Sequence, residues 1–298
     1  MTLTEPTTRT ISAPGATLTY DVRPGAGHDQ PPLFLIGSPM GASGFGALAS
    51  HFPERTIVTY DPRGAERSTK DDPSSESNPN QHADDLHRII AEVGGPVDLF
   101  ASSGGAVNAL ALVAAHPDDV RILVAHEPPL APLLPDRQNA KAAVRAIGNT
   151  YQARGFGRGM AHFIAVTSHR GEFEDGFADQ PAPDPTMFGM PAEDDGSRTD
   201  VMLYQNLVNT THYEPDFEAL RNAPTLIVIA AGEESRGEMA NRGAYATAER
   251  LGSQPVVFPS HHGGFVSPDG GWGGQPEAFA AKLHEVLDAA TSQVMERR

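Results

Sequence analysis

Cysteine is missing from the 298-residue chain. Its absence excludes disulfide bonds, thiolate metal ligands and a cysteine nucleophile. Long apolar runs are missing too: no apolar segment approaches the roughly 20 residues that a membrane-spanning helix needs. Residues 1–10 are polar and lack the apolar segment of a secretory signal. These features lead us to expect a cytoplasmic protein that does not enter a membrane.

Positive charge is scarce as well. The chain has 22 lysine and arginine residues against 38 aspartate and glutamate residues, a formal net charge of −16 with neutral histidines. Because this charge repels phosphate backbones and anionic lipids, nucleic acid and membrane surfaces are poor partners. The hydrophobic content of 39% is enough to fill a sizeable core. We expect an ordinary soluble globular protein, and the composition leaves its oligomeric state open.

Strand-like and helix-like segments alternate along the chain. An opening hairpin is predicted at 8–11 and 16–22, and six more apolar runs favour strands at 33–36, 56–60, 97–100, 121–125, 225–229 and 255–258. Apolar spacing near 3.6 residues predicts helices at 84–93, 106–115, 239–251 and 276–289. This alternation predicts an α/β fold: a doubly wound, mostly parallel eight-stranded sheet with helices on both faces.

Residues 130–209 interrupt the alternation. This segment contains helix-like stretches at 138–146 and 159–166, followed by an acidic run rich in proline and glycine at 171–200. We interpret it as a helical lid inserted after the sixth strand. The core domain would then consist of residues 1–129 and 210–298.

Ser103 lies in the sequence Ala-Ser-Ser-Gly-Gly (101–105), between a predicted strand and a predicted helix. A serine on such a tight turn presents its hydroxyl above the sheet. The residues two before and two after it must be small, because strand and helix pass close to each other. Ala101 and Gly105 are small, whereas Ser102 as nucleophile would put Phe100 at such a position. Ser103 is therefore the candidate nucleophile.

Two histidines, His261 and His262, follow the last predicted strand, and the glycines at 263–264 allow the loop to turn inward. In a parallel α/β sheet, ligands bind beyond the carboxyl ends of the strands, which is also where Ser103 is expected. One of the two histidines is therefore a candidate general base for Ser103.

The order of these motifs resembles the α/β-hydrolase superfamily, and the similarity covers nearly the whole chain outside the predicted lid. Gly-Ser-Pro-Met-Gly at 37–41 stands where the family has its oxyanion loop, and Asp-Pro-Arg-Gly-Ala-Glu-Arg-Ser at 61–68 resembles its D-x-R-G-x-G-x-S turn. Pro-Ser-His-His-Gly-Gly at 259–264 resembles the family's P-G-x-H-x-G ending, which assigns the base to His262. The sequence departs from the pattern at Ile36, where the family has histidine, and at Glu66, where it has a second glycine.

The resemblance implies a serine hydrolase of the carboxylic ester type that needs no cofactor. Ser103 would attack an acyl carbon and form an acyl-enzyme, with His262 acting first as base and then as acid. The backbone N–H groups of Gly104 and of the oxyanion loop would bind the oxyanion. Ser38 is the expected loop donor, because Pro39 has no N–H, and Met40 is the alternative. The expected substrate is an ester, a lactone or a related acyl compound.

A serine–histidine catalytic triad needs an acid as its third member, and this sequence has no acid at the family's usual position. The family's usual acid follows the strand after the lid, three residues past a glycine, and that position is occupied here by Ser235. Glu127 and Glu234 are the carboxylates that could replace it. We favour Glu127, because some superfamily members place their acid on this strand beside the nucleophile strand, and Pro128 and Pro129 would restrict its backbone.

Other functions stay open at this point. A strand, a Ser-Gly-Gly turn, a helix and then Glu127 also suit a dinucleotide-binding unit, although the turn lacks the G-x-G-x-x-G pattern. A non-catalytic protein that binds a small molecule is a second alternative, favoured by the missing acid at its usual position. Carbon–carbon bond hydrolysis and perhydrolysis are chemistries that the same fold also hosts.

No metal site is expected. Prolines follow Glu127, where a metal-binding helix would carry a second histidine. The polar residues of the segment 82–87 fit the start and exposed face of a helix; they are His82, Asp84, Asp85 and His87. Asp61 and Arg63 fit a structural role in the turn that follows their strand.

Overall fold

A computed structural model describes residues 4–27, 30–270 and 273–296. Nine strands in these residues form one sheet. They are β1 (Thr7–Ala13), β2 (Ala16–Arg23), β3 (Leu33–Ile36), β4 (Ile57–Asp61), β5 (Thr69–Lys70), β6 (Val97–Ser102), β7 (Val120–His126), β8 (Leu226–Gly232) and β9 (Val256–Phe258).

From β3 onwards helices separate the strands, except that β5 follows β4 directly, and four helices lie between β7 and β8. The helices are α1 (Gly46–Ser50), α2 (Pro79–Val93), α3 (Gly104–Ala115), α4 (Arg137–Arg154), α5 (Phe156–Thr167), α6 (Leu207–Thr211), α7 (Phe217–Asn222), α8 (Met239–Arg250) and α9 (Pro276–Glu296). Across the described part of the chain, no helix combines the length and the apolar character needed to cross a membrane.

The sheet has the strand order β1-β2-β4-β3-β6-β7-β8-β9. The pairs that involve β2 are antiparallel and all others are parallel, which confirms the predicted α/β fold with a mostly parallel sheet. The ninth strand, β5, pairs with β2 and has only two residues. A strand this short carries no periodic pattern, so the sequence predicted eight strands.

Two hydrophobic clusters cover the two faces of the sheet. Alternate side chains of β6 point to opposite faces. Leu99 belongs to the cluster that includes residues of α2, α3, α7 and α8, whereas Phe100 belongs to the cluster that includes residues of α1 and α9. Both β6 residues are fully buried. The strand that ends next to Ser103 is therefore held from both sides, which fixes the turn that follows it.

Helix α2 begins at Pro79, five residues before the predicted start at 84. A capping box stabilises this early start: Asn78 Oδ1 accepts from the Gln81 N–H, and Gln81 Oε1 accepts from the Asn78 N–H, both at 3.0 Å. The longer helix buries His82 and Asp85, so their predicted exposed position is wrong.

Both buried groups on α2 have partners. Asp85 accepts two hydrogen bonds from Arg63, at 2.6 and 2.7 Å. His82 Nε2 lies 2.8 Å from Asn206 Oδ1. These contacts tie α2 to the turn after β4 and to the segment that precedes α6.

The chain between β7 and β8 has a hydrophobic cluster of its own. Side chains of α4 and α5 form this cluster together with Phe173 and Leu203, and Met239 at the start of α8 joins it to the sheet domain. Helix α6 runs through position 209, where the predicted lid ends, and stops at Thr211.

Candidate active site

Ser103 occupies the turn between β6 and α3. Its backbone has φ 57° and ψ −127°, a conformation that is costly for a residue with a side chain and typical of a nucleophile elbow. Its N–H donates to the His126 carbonyl at 2.9 Å, which anchors the turn to β7. Ser102, the other serine considered, is the last residue of β6, and its buried hydroxyl lies 3.0 Å from His126 Nδ1.

The glycines after Ser103 allow α3 to start against the loop that follows β3. A Cβ on Gly105 would lie 2.8 Å from Gly37 Cα, and a Cβ on Gly104 would lie 2.7 Å from the Ser38 carbonyl oxygen. Real Cβ atoms do not approach backbone this closely. The small residue at position 105 is therefore required by the oxyanion loop, rather than by β6.

Ser38 and Gly104 bring two backbone N–H groups to the same region. Among the residues that the structure describes, neither N–H donates a hydrogen bond. Their residues are in contact, since the Ser38 carbonyl limits the space at Gly104. Met40, the alternative donor, lies further along the loop with its side chain against Gly44.

The oxyanion loop is held in place by two carboxylates, one from the last residue of β4 and one from the turn that follows it. Asp61 Oδ1 accepts from the Ala42 N–H at 2.9 Å, and Glu66 Oε1 accepts from the Gly41 N–H at 3.2 Å. Glu66 has a positive φ of 45°. The family has glycine at this position, and here glutamate takes the same backbone conformation and adds a side chain that anchors the loop.

Glu127 lies directly after β7, and its side chain is completely buried. One carboxylate oxygen, Oε2, is 2.6 Å from His262 Nδ1. The other, Oε1, accepts from the Gly232 N–H at 2.8 Å, the Ser235 hydroxyl at 2.5 Å and Asn241 Nδ2 at 3.0 Å. A buried carboxylate with this set of donors can remain charged without water.

The electrostatics of the pair favour an ionised acid and a basic imidazole. Burial opposes the charged carboxylate, but the hydrogen bond from His262 and nearby positive charge hold the pKa of Glu127 well below its ordinary value. Burial likewise opposes the imidazolium, but the hydrogen bond to Glu127 and the charges of Glu127 and Glu238 raise the pKa of His262 above 6.5. The two groups therefore stabilise each other's charged form.

The remaining residues considered from the sequence lie elsewhere. Glu234 is exposed, and its carboxylate accepts from Gln275 at 3.2 Å rather than from a histidine. His261 Nδ1 accepts from the Gly263 N–H at 3.0 Å, so its ring does not reach Glu127. The structure thus brings His262 and Glu127 together, and it leaves Glu234 and His261 outside this contact.

The Ser103 hydroxyl and His262 Nε2 both lie at the carboxyl edge of the sheet, and His262 is 36% exposed there. Within the described ranges, neither atom makes a hydrogen bond. The arrangement leaves Nε2 free to accept a proton.

The sequence did not reveal the residues that donate hydrogen bonds to the Glu127 carboxylate. Ser235 was recognised only as the occupant of the usual acid position, and Asn241 lies in a helix whose pattern gives no sign of a buried amide. His126 was also missed: burial lowers its pKa to about 4, and its neutral ring stacks 5.9 Å from that of His262. No short motif marks these positions, because their role depends on contacts between distant segments.

One group of potential metal ligands exists among the described residues, namely His87, His116 and Asp119. The two imidazole rings stack in parallel 3.9 Å apart, and His87 Nδ1 lies 2.7 Å from Asp119 Oδ2. Parallel rings direct their nitrogens side by side rather than at a common ion. Hydrogen bonding and stacking account for this cluster, which lies on α2 and in the turn between α3 and β7.

No family model matches the chain. YraK, an uncharacterized hydrolase of Bacillus subtilis, is 30% identical in an alignment that covers 94% of this chain and 95% of YraK. The structure is similar to that of a thermophilic esterase from Thermogutta terrifontis, with a TM-score of 0.64 and 19% identity over 96% of this chain and 99% of the esterase. It is also similar to the N-acyl homoserine lactonase AidH, with a TM-score of 0.59 and 17% identity over 96% and 97% of the two chains.

The fold, the elbow and these relatives define the class. The chain belongs to the same family as the hydrolase YraK, and its fold is that of the α/β hydrolases, as the sequence motifs predicted.

Proposed function

We propose that this protein is a serine hydrolase that cleaves an ester, lactone or related acyl substrate through a covalent acyl-enzyme. The observation that carries the proposal is the 2.6 Å contact between His262 Nδ1 and Glu127 Oε2, at the edge of the sheet where Ser103 emerges. A serine hydroxyl becomes a useful nucleophile only when a base accepts its proton and an anion supports that base.

The acylation step uses these groups in order. His262 Nε2 takes the proton of Ser103 as Oγ bonds to the acyl carbon, and the carbonyl electron pair moves onto oxygen. The N–H groups of Gly104 and Ser38 then donate to this oxyanion, each contributing roughly 3 kcal/mol to lowering the barrier. Glu127 balances the charge of the imidazolium. When the carbonyl re-forms, the leaving oxygen takes the proton from Nε2.

Deacylation repeats the sequence with water. His262 accepts a proton from water as its oxygen bonds to the acyl carbon, and the same N–H groups stabilise the second oxyanion. Ser103 Oγ leaves and recovers its proton from Nε2, which releases the carboxylic acid and regenerates the enzyme. Both half-reactions need His262 neutral at the start and Glu127 ionised throughout.

We propose that the segment 130–209 acts as a lid and selects the substrate. Its Arg170 reaches the loop after β8, where it donates to the Glu234 carbonyl at 2.8 Å and lies 3.6 Å from the Glu238 carboxylate. The segment is thus attached beside the groups that hold Glu127. An acyl substrate is favoured because the similar structures include an esterase and a lactonase.

Intact-mass labelling with a fluorophosphonate tests the proposed chemistry. We expect one adduct on the wild type, none on Ser103→Ala and strongly slowed labelling of His262→Ala. Hydrolysis of a short-chain nitrophenyl ester should follow the same order. Ser102→Ala is the matched control, since it removes the neighbouring buried hydroxyl and should still be labelled.

An absence of labelling would distinguish between the proposed function and its alternatives. A folded wild-type protein that takes no label and hydrolyses no ester would contradict the serine hydrolase proposal and favour a non-catalytic binding protein. Labelling without hydrolysis of esters or lactones would keep the nucleophile and direct the search to carbon–carbon bond hydrolysis or, with hydrogen peroxide added, to perhydrolysis.

A further inference from the structure

His126 is the last residue of β7, and its side chain is completely buried. It contacts each of the three residues proposed as the triad. Its carbonyl oxygen accepts from the Ser103 N–H at 2.9 Å, Glu127 follows it in the chain, and its ring lies against the ring of His262. One buried residue therefore connects the nucleophile turn, the acid and the base.

The rings of His126 and His262 form an offset stack. Their centroids are 5.9 Å apart and their planes differ by 26°, a separation at which aromatic rings attract each other. Among the described residues, the His262 side chain makes one hydrogen bond, from Nδ1 to Glu127. A single hydrogen bond lets an imidazole turn about that contact. A second ring against its face restricts this motion and so holds Nε2, on the far side of the imidazole, in place.

The ring of His126 is itself firmly packed. Phe279 and Phe265, both buried, meet it edge to face, with centroids 5.3 and 6.3 Å away and interplanar angles of 87° and 90°. Its Nδ1 lies 3.0 Å from Ser102 Oγ, which gives that nitrogen a hydrogen-bond partner. The ring behind His262 is therefore part of the rigid core rather than of a loop.

Packing alone does not account for a histidine at this position. Within the described part of the chain, His126 Nε2 is buried and has no hydrogen-bond partner, and such an atom destabilises a folded protein. A leucine would fill a similar volume without this cost. Burial also lowers the pKa of His126 to about 4, so its ring is neutral near pH 7 and does not repel an imidazolium beside it. A costly, neutral ring behind the base indicates a role in function.

We propose that His126 is a positioning residue of the catalytic site, whose ring stacks on His262 and keeps that base oriented between Glu127 and Ser103. This inference rests on the proposed serine hydrolase function. Because His126 is shut off from solvent, it acts through the base and not on the substrate. Its effect should therefore appear in kcat and in the pH profile, and not in KM.

His126→Leu removes the ring and tests this role with a short-chain nitrophenyl ester. We expect kcat to fall about tenfold, because a base that is less well oriented takes the proton more slowly, while KM stays nearly unchanged. The acidic limb of kcat/KM should move to lower pH, since a loosely held imidazole keeps less of the hydrogen bond to Glu127 that raises its pKa. The charged groups that act on His262, namely Glu127 and Glu238, are the same in the variant.

Val124→Ala is the matched control. Val124 lies two residues earlier on the same face of β7, is also completely buried and belongs to the same hydrophobic cluster as Phe265 and Phe279. The variant loses core packing but keeps the stacked ring. It should unfold at a lower temperature than the wild type and retain the wild-type kcat and acidic limb.

If His126→Leu does not fold, His126→Asn takes its place, because asparagine also lacks the ring but keeps a polar group for Ser102. A wild-type kcat and an unmoved acidic limb in the folded variant would overturn the positioning role. An equal fall of kcat in Val124→Ala would overturn it too, since it would show a general response to loosened packing. Both outcomes leave Ser103-dependent hydrolysis by the wild type intact, whereas its absence would contradict the serine hydrolase function itself.

Discussion

The hydroxyl of Ser235 donates a 2.5 Å hydrogen bond to Glu127, a residue 108 positions earlier in the chain. Ser235 stands where the α/β-hydrolase pattern places an acid, and Glu127 directly follows the neighbouring strand, β7. The serine therefore contacts the carboxylate that we propose as the triad acid. The positive φ of Glu127, 49°, turns its side chain from β7 towards the loop after β8.

Glu127→Gln should lower kcat about 10³- to 10⁴-fold, because a neutral amide cannot stabilise the imidazolium of His262. Circular dichroism should show an intact fold. Glu234→Gln is the control and should keep nearly full activity, since its carboxylate does not contact the histidine. Steady-state kinetics of both variants test which carboxylate is the triad acid. A larger loss of kcat in Glu234→Gln than in Glu127→Gln would assign the acid to Glu234.

Asn241→Leu removes one of the three donors to Glu127 Oε1. We expect it to reduce the free energy of unfolding at neutral pH by about 1.5–3 kcal/mol, because a hydrogen bond to a buried charge is lost. It should also reduce kcat, since the carboxylate is less firmly oriented. Urea denaturation and kinetics measure the two effects, and a variant with wild-type stability would show that Asn241 does not support the acid.

The acidic limb of the kcat/KM profile should report the protonation of His262. Its raised pKa predicts a midpoint above 6.5, because the enzyme needs the neutral imidazole. Glu238→Gln removes a negative charge that favours the imidazolium, so the limb should move to lower pH. Glu234→Gln should leave it in place. A limb that moves to higher pH in Glu238→Gln would contradict the assigned electrostatics.

The raised pKa of His262 also affects stability, and in the opposite direction: activity rises with pH, whereas the contribution of His262 to stability falls. A raised pKa means that folded protein binds this proton more tightly than the unfolded chain does. The contribution of His262 to stability is therefore complete below pH 6.5 and is lost as the pH rises through the folded-state pKa. Comparing the pH dependence of urea unfolding for wild type and His262→Ala isolates this contribution, which should be absent from the variant.

Gly105→Ala should destabilise the protein by about 1–3 kcal/mol and displace the oxyanion loop, since its Cβ would lie 2.8 Å from Gly37 Cα. Gly46→Ala provides a matched control. Gly46 has helical angles and nothing within 4 Å of a Cβ, so alanine there should be neutral or slightly stabilising. Thermal unfolding of the two variants measures both effects, and equal melting temperatures would argue against the close contact.

Much of the architecture could be predicted from the sequence, because buried parallel strands and amphipathic helices leave regular patterns. The run 33–36 coincides with β3, and the predicted turn at Ser103 lies where β6 meets α3. The errors lie where tertiary contacts override local patterns. Asp85 looks like an exposed helical residue, and its burial depends on Arg63, which is 22 positions away.

The candidate site was predictable to the extent that its groups follow strand ends. Ser103, Glu127 and His262 each come directly after a strand or within a few residues of one, so strand order alone suggested their proximity. The amide of Asn241 lies on a helix and reaches Glu127 only through packing. A single sequence carries no local signal for such contacts.

The two neighbours Asn241 and Arg242 on α8 face different parts of the molecule. Asn241 holds Glu127, whereas Arg242 pairs with Asp136 and donates to the Gly171 carbonyl at 2.6 Å, both in the segment 130–209. One turn of helix thus contacts both the proposed acid and the segment that we propose as a lid. Any rotation of α8 that loosens this segment would also disturb the orientation of the carboxylate, so opening for product release and readiness for the next turnover would be mechanically linked.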